Sequence, residues 1–242
     1  LRAVDAVVGI GRIRYTSPHP KDLRPETIAA MAECPAVCEH LHLPLQAGSD
    51  RTLARMHRGY TAERYLARLA AARAAIPELA VTTDLIVGFP GETDADFERT
   101  LEVVDQAGYD AAYTFVFSPR PGTPAADMVD DLVPTAVAQD RMRRLTERVE
   151  RHALAKHRAR VGRVEEVLVD GPSKKDPAVL SGRTRQNKLV HFTPGDGGPV
   201  PAAAAYAEVH VTGAAPHWLR GEHVATTVVA RPARTRIPVT VE

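Results

Sequence analysis

AVTTDLIVGFPGETDADFERTLEVVDQAG, residues 80–108, reads as a strand, a tight turn and a capped helix in immediate succession. Ala80–Val87 is short, apolar and followed by turn chemistry, which reads as a strand. Gly88, Pro90 and Gly91 then supply turn chemistry. Thr93 and Asp96 form a T-x-x-D capping arrangement, Phe97, Leu101 and Val104 share one helical face, and Gly108 is a natural terminator. A strand, a short turn and a helix are the repeating unit of a parallel sheet or barrel, whose ligand-binding groups sit at the C-terminal ends of the strands.

Working outward, further strands are expected at residues 12–16, 39–45 and 111–117. Ser49 can cap a helix reaching Arg58 with Gly59 as its stop, and Thr61 can cap another that ends before Pro77. Pro134 opens a long helix to about Val161, with Val137, Leu145 and Val149 on one stripe and Gly162 beyond it. The pattern then changes. Residues 164–170, 179–182, 188–192, 207–211 and 224–229 read as short strands punctuated by Gly, Pro and Asn, and 194–205 as a flexible insertion. The expected class is α/β: part of a parallel (β/α) barrel over residues 1–160, then a small antiparallel β-barrel over 161–236.

The 242 residues are 44% hydrophobic and 25% charged, a globular composition. No apolar run approaches the roughly 18 residues a membrane span needs, and residues 1–10 lack the pattern of a signal peptide. No membrane partner is expected. Two cysteines make no disulfide framework, which points to a reducing cytoplasm. The first residue is leucine, and a chain that enters its elements so early reads as a fragment. Charge is uneven: 18 Lys and Arg face 22 Asp and Glu up to Ala155 (−4), against 13 and 8 from Lys156 onward (+5). The basic second part suits a polyanionic partner.

Four loops follow the expected strands: 16–20 with Ser17 and His19, 45–49, 88–92 and 118–123. Their glycines allow close backbone approach to a ligand, and Gln46, Ser49 and Arg120 offer directed donors. Cys34 and Cys38 invite a metal reading, but an iron–sulfur site wants a third cysteine nearby and position 41 is Leu41. Both read as small buried hydrophobes. His40 and His42 share one strand face and, with Asp84, leave a barrel metallohydrolase open as a minor alternative. In the second part, Arg183, Arg185, Asn187 and Lys188 cluster in a hairpin, with Lys174, Lys175 and Arg220 in neighbouring turns. Such cations suit phosphates, and an Asn suits a base edge.

The strings HLHLPLQAGSDRTLARMHRGYT, TTDLIVGFPGETDADFE and YTFVFSPRPGTPAADM resemble the later half of the radical S-adenosylmethionine (SAM) methylthiotransferases. VLVDGPSKKDPAVLSGRTRQNKLVHF resembles their C-terminal TRAM domain, an RNA-binding β-barrel. Gly182 to Asn187, read as G-R-T-x-x-N, is most similar to the MiaB-type branch, which modifies N6-isopentenyladenosine beside the tRNA anticodon. The resemblance implies SAM and two [4Fe–4S] clusters in the complete enzyme, tRNA as substrate, and a monomer when complete. It also implies an N-terminal domain with three cluster cysteines and a C-x-x-x-C-x-x-C loop, neither of which this chain contains, so the chain alone is expected to be inactive. One SAM methylates sulfur; another yields a 5′-deoxyadenosyl radical that takes hydrogen from adenine C2. By resemblance the chain supplies barrel strands three to six. Gln46 and Ser49 would then meet the ribose or amino-acid part of SAM, Asp84 a polar group, Val87 and Gly88 the adenine, Phe117 the ring, and Arg120 a phosphate or carboxylate. Ala47 stands where the family usually has serine. A non-catalytic RNA-binding module is the alternative of a different class.

Overall fold

Burial alternates along Ala80–Val87: Val81, Thr83, Leu85 and Val87 are fully buried, while Thr82, Asp84 and Ile86 are only partly so. One face of this strand is therefore packed under helices and the other is more open. The computed structural model describes residues 1–16, 18–195 and 200–228. Ser17, residues 196–199 of the expected insertion, and residues 229–236 of the expected second domain lie outside the described residues. The chain divides into two compact units, Leu1–Ala159 with Arg185–Asn187 and Ala215–His217, and Arg160–Thr184 with Lys188–Ala214 and the residues from Trp218 onward.

The first unit contains, in order, α1 (Arg2–Asp5), α2 (Pro25–Glu33), β1 (His40–His42), α3 (Asp50–Arg55), α4 (Ala62–Ala75), β2 (Ala80–Val87), α5 (Asp94–Ala107), β3 (Ala111–Val116) and α6 (Thr135–Arg158). The three strands form one parallel sheet in the order β1-β2-β3. The capping box of α5 is formed as expected, with Thr93 and Asp96 bonding each other's backbone N–H, and Gly108 ends the helix at φ 52°. α5 and α6 pack together, and α6 also covers part of β3.

Two expectations are corrected. Residues 12–16 form no strand; Ile13 makes a single parallel bridge to Val37, so the sheet has three strands rather than four. The alternating Arg12, Ile13 and Arg14 find no continuous ladder, and propensity without a partner does not make a strand. β1 is also shorter than expected, because Pro44 has no N–H to donate to the sheet. The chain rejoins the ladder at Gln46, which bridges Leu85.

The second unit is a closed five-stranded barrel: β4 (Val164–Pro172), β5 (Leu180–Thr184), β6 (Leu189–Thr193), β7 (Tyr206–Ala214) and β8 (Leu219–Val228), in the order β4-β5-β6-β8-β7. Val167, Val169, Val190, Phe192, Val209, Val211 and Leu219 fill its interior. It is not wholly antiparallel as expected, because β6 and β8 pair in parallel. Two glycines permit closure by absence of a side chain. A Cβ on Gly182 would meet the Leu168 carbonyl oxygen at 2.4 Å, and one on Gly221 would meet that of His210 at 2.6 Å.

Candidate functional site

The segment between β1 and α3 is held by an interlocked set of hydrogen bonds. Thr83 Oγ1 donates to the Leu43 carbonyl and accepts from the Leu45 N–H, both at 2.9 Å. Tyr60 and Tyr65 donate their hydroxyls to the carbonyls of Leu45 and Leu43, each at 2.9 Å, and Tyr109 donates to Tyr65 at 3.0 Å. Gln46 then donates its N–H to Asp84 O and accepts from Ile86 N–H, both at 2.8 Å. It does so at φ 70°, a left-handed conformation that costs a non-glycine residue on the order of 1 kcal/mol. The ladder bonds on both sides hold it there, aimed at the C-terminal end of β2.

The turn after β2 is clamped from two sides. Gly88, at φ 71°, donates its N–H to Glu92 Oε2 at 2.7 Å. The same oxygen accepts from Arg141 on α6 at 2.8 Å, and Arg141 also reaches Asp94 Oδ1 at 2.7 Å. Burial raises the Glu92 pKa, against the opposing pull of Gly88 and Arg141. From α3, Arg51 donates to Gly91 O at 2.5 Å, while Arg55 donates to Pro90 O at 3.1 Å and to Asp131 Oδ2 at 2.5 Å. Ser49 donates to Asp96 Oδ1 at 2.5 Å, and Arg51 pairs with Asp96 Oδ2. Burial works against the Asp96 carboxylate, but the bonds from Arg51, Ser49 and Thr93 outweigh it and hold its pKa well below the usual carboxylate range.

A cavity of about 550 Å³ opens at the C-terminal ends of β2 and β3. Of the residues expected to face a ligand, Gln46, Asp84, Phe117 and Arg120 line it. Phe89 and Phe117 meet edge to face there, with ring centroids 5.1 Å apart. Ser49, Val87 and Gly88 are not among its lining residues. Ser49 is buried as the cap of α3, Val87 lies in the helix-facing core, and a Cβ on Gly88 would meet the Ala138 Cβ at 2.9 Å. Three of the four expected loops converge; in the described part of the fourth, His19 instead caps a short turn of helix and packs on Tyr60. Sequence reasoning missed Arg55, Met56, Arg58 and Met128, which form much of the wall. For the first three the signal was the run Arg55-Met56-His57-Arg58 directly before Gly59, a helix end aimed at the same rim; Met128 carried no such signal.

Cys34 and Cys38 are free thiols, buried at the end of α2 and in the turn after it. His40 Nε2 and His42 Nδ1 both contact Thr82 Oγ1, at 3.2 and 2.9 Å, and His42 Nε2 lies 3.4 Å from Asp84 Oδ2. No group of three His, Cys, Asp or Glu among the described residues could hold a metal ion. In the second unit, Lys174, Lys175 and Arg183 line one surface depression of about 590 Å³ and Arg220 lines another of about 460 Å³. Lys188 is buried. Asn187 takes φ 63° at a tight turn, the left-handed conformation Asn tolerates better than most residues. Arg185, grouped with the first unit, pairs with Glu39 Oε2 at 2.8 Å and donates to Val37 O at 2.8 Å.

A family model of the Radical SAM superfamily matches residues 2–104. The chain is 51% identical over 224 residues to the tRNA-2-methylthio-N(6)-dimethylallyladenosine synthase of Moorella thermoacetica, covering 93% of this chain and 49% of that protein. It is 50% identical over 239 residues to the enzyme of the same name from Mycolicibacterium smegmatis, covering 98% of this chain and 45% of that one. Among solved structures, coproporphyrinogen III oxidase (HemN) from Escherichia coli, a radical SAM enzyme, matches with TM-score 0.49 and 14% identity over 72% of this chain and 46% of that one. The chain spans about half the length of the curated relatives it matches. Over nearly its whole length the chain is thus similar to those two enzymes, and its residues 2–104 resemble the Radical SAM superfamily.

Proposed function

We propose that this chain is the part of a tRNA methylthiotransferase that completes the SAM pocket and holds the RNA, in an enzyme that methylthiolates C2 of N6-isopentenyladenosine beside the anticodon in the cytoplasm. One observation carries the reading: half of all positions, over more than nine-tenths of the chain, are shared with two proteins named for that reaction. The cavity at β2 and β3 fits a nucleoside sulfonium in size and lining. Phe89 and Phe117 would take the adenine, Gln46 and Asp84 its polar edge or the ribose, and Arg120 the amino-acid carboxylate. When bound, SAM supplies the methyl group and the radical precursor. Arg55 and Arg141 keep the rim in place by holding the turn after β2.

A [4Fe–4S] cluster does not fit the described residues. The chain has two cysteines, both buried, and no described group of three ligands. The 242-residue chain should not cleave SAM by itself. Residues from about 161 to 236 are proposed as the TRAM domain; the closed barrel supports this, although residues 229–236 lie outside the described residues. A second reading, an RNA-binding module without a cofactor, draws on the same missing thiolates. Titration calorimetry with SAM separates the two. Saturable binding that Arg120→Ala weakens by about tenfold supports the first reading; no heat of binding, with tRNA binding intact, supports the second and removes the first.

A further inference from the structure

β5, β6 and β8 form a continuous outer face in the second unit, and its composition is unlike the rest of the barrel. The register pairs Ser181 with His191 and His191 with Arg220, and places Arg183 opposite Leu189, all on the outward side. Trp218 stands at the entry to β8, 39% exposed, with its ring 6.0 Å from that of His191 in an edge-to-face arrangement. An exposed tryptophan on a small barrel is expensive to leave in water. The two depressions described above flank it, and both are lined by Trp218, His191 and Val179. Cations stand on either side: Lys174, Lys175 and Arg183 border one depression and Arg220 the other, with Asp176 and Glu222 the acidic members.

Resting on the RNA reading above, we infer that this face is a stacking platform for a single unpaired nucleobase. The base lies on the exposed part of the Trp218 indole, with His191 edge-to-face beside it. The phosphates on the two sides of that nucleotide run into the two depressions, one toward Lys174 and Lys175 and the other toward Arg220. Two depressions that each carry at least one cation and share one aromatic side chain match the logic of single-stranded recognition, in which the backbone follows positive charge and each base needs a π-surface. A double helix cannot use such a platform, because its bases are already stacked. The surface is therefore selective for a loop or other unpaired segment.

Trp218 is the chain's only tryptophan, so its fluorescence reports this face alone. The test titrates the full 242-residue chain with three probes at one salt concentration: a single-stranded oligouridylate, the same backbone with abasic sites, and an RNA duplex. The expected result is quenching by the oligouridylate and little by the other two. By anisotropy, Trp218→Ala should weaken oligouridylate binding about five- to fiftyfold with an unchanged salt slope. Trp218→Phe should keep most of the affinity, which separates loss of the platform from loss of the fold. Salt-dependent RNA binding without quenching, and unaltered in Trp218→Ala, overturns the platform and leaves the RNA reading standing. Absence of binding to any of the three probes overturns both.

Discussion

Gly88 shows how one missing atom positions the site. Its φ of 71° favours glycine, and α6 comes so close that a Cβ would lie 2.9 Å from Ala138. Gly108 also has positive φ but nothing within 4 Å of its would-be Cβ. Gly108→Ala should therefore cost only the conformational penalty, roughly 1 kcal/mol, and Gly88→Ala roughly 1–3 kcal/mol more through overpacking. Denaturant midpoints of the two variants measure the difference, and equal midpoints would show that α6 yields freely. Asp96 carries a second expectation at this scale. Its folded pKa is depressed by Arg51, Ser49 and Thr93 despite the opposing effect of burial. The stabilisation it brings is complete above the unfolded carboxylate value of about 3.9 and is lost as pH falls from there through the folded value. Asp96→Asn should thus be less stable than the native chain at pH 7, with the gap narrowing below about pH 4. A gap that stays constant down to pH 2 would contradict this.

At the scale of elements, legibility followed from how much of the structural instruction is local. β2 and α5 appear where residues 80–108 place them, because strand composition, turn glycines, a capping box and a helix stop all agree within 29 residues. Residues 12–16 had only composition in their favour, and among the described residues they find just the isolated bridge from Ile13 to Val37. The parallel β6–β8 pairing was hidden for a similar reason, since sequence periodicity carries no information on which strands become neighbours. The same limit applied at the site. Gln46 and Arg120 could be read from loops at strand ends, and Asp84 and Phe117 came with the family resemblance, but Ser49 was spent on capping α3, and Arg55 reaches the rim from a different helix. β3 carries the consequence of the three-stranded sheet. It pairs only with β2, and Tyr113 and Phe115 on it are 61% and 51% exposed. An apolar edge of this kind favours association. Replacing both residues by Thr, which keeps strand propensity, should reduce concentration-dependent self-association in sedimentation velocity while moving the unfolding free energy by less than about 1 kcal/mol. Unchanged self-association would exonerate that face.

For the whole molecule, charge divides less sharply by unit than by chain position: Lys156 and Arg158 lie on α6 and Arg185 groups with the first unit, so part of the base from Lys156 onward lies outside the barrel. Net charge alone does not separate a polyanion site from a solvated surface, but salt dependence does. Each cation that neutralises a phosphate releases a counterion, so log affinity falls with log salt by about 0.7–0.9 per contact. Lys174, Lys175 and Arg220 are exposed on the barrel, whereas Arg185 is paired with Glu39 and Lys188 is buried. Changing Lys174, Lys175 and Arg220 together to Ala should flatten the slope for a tRNA anticodon stem-loop by roughly two to three contacts' worth. Changing Asn187 should leave the slope alone, because an uncharged side chain releases no ion. Lys21 and Arg24, exposed in the first unit, serve as a two-cation control, and their loss should alter the slope by less than one contact. A triple variant with native affinity and slope would leave these barrel cations as solvated surface, whatever the rest of the chain contributes to binding.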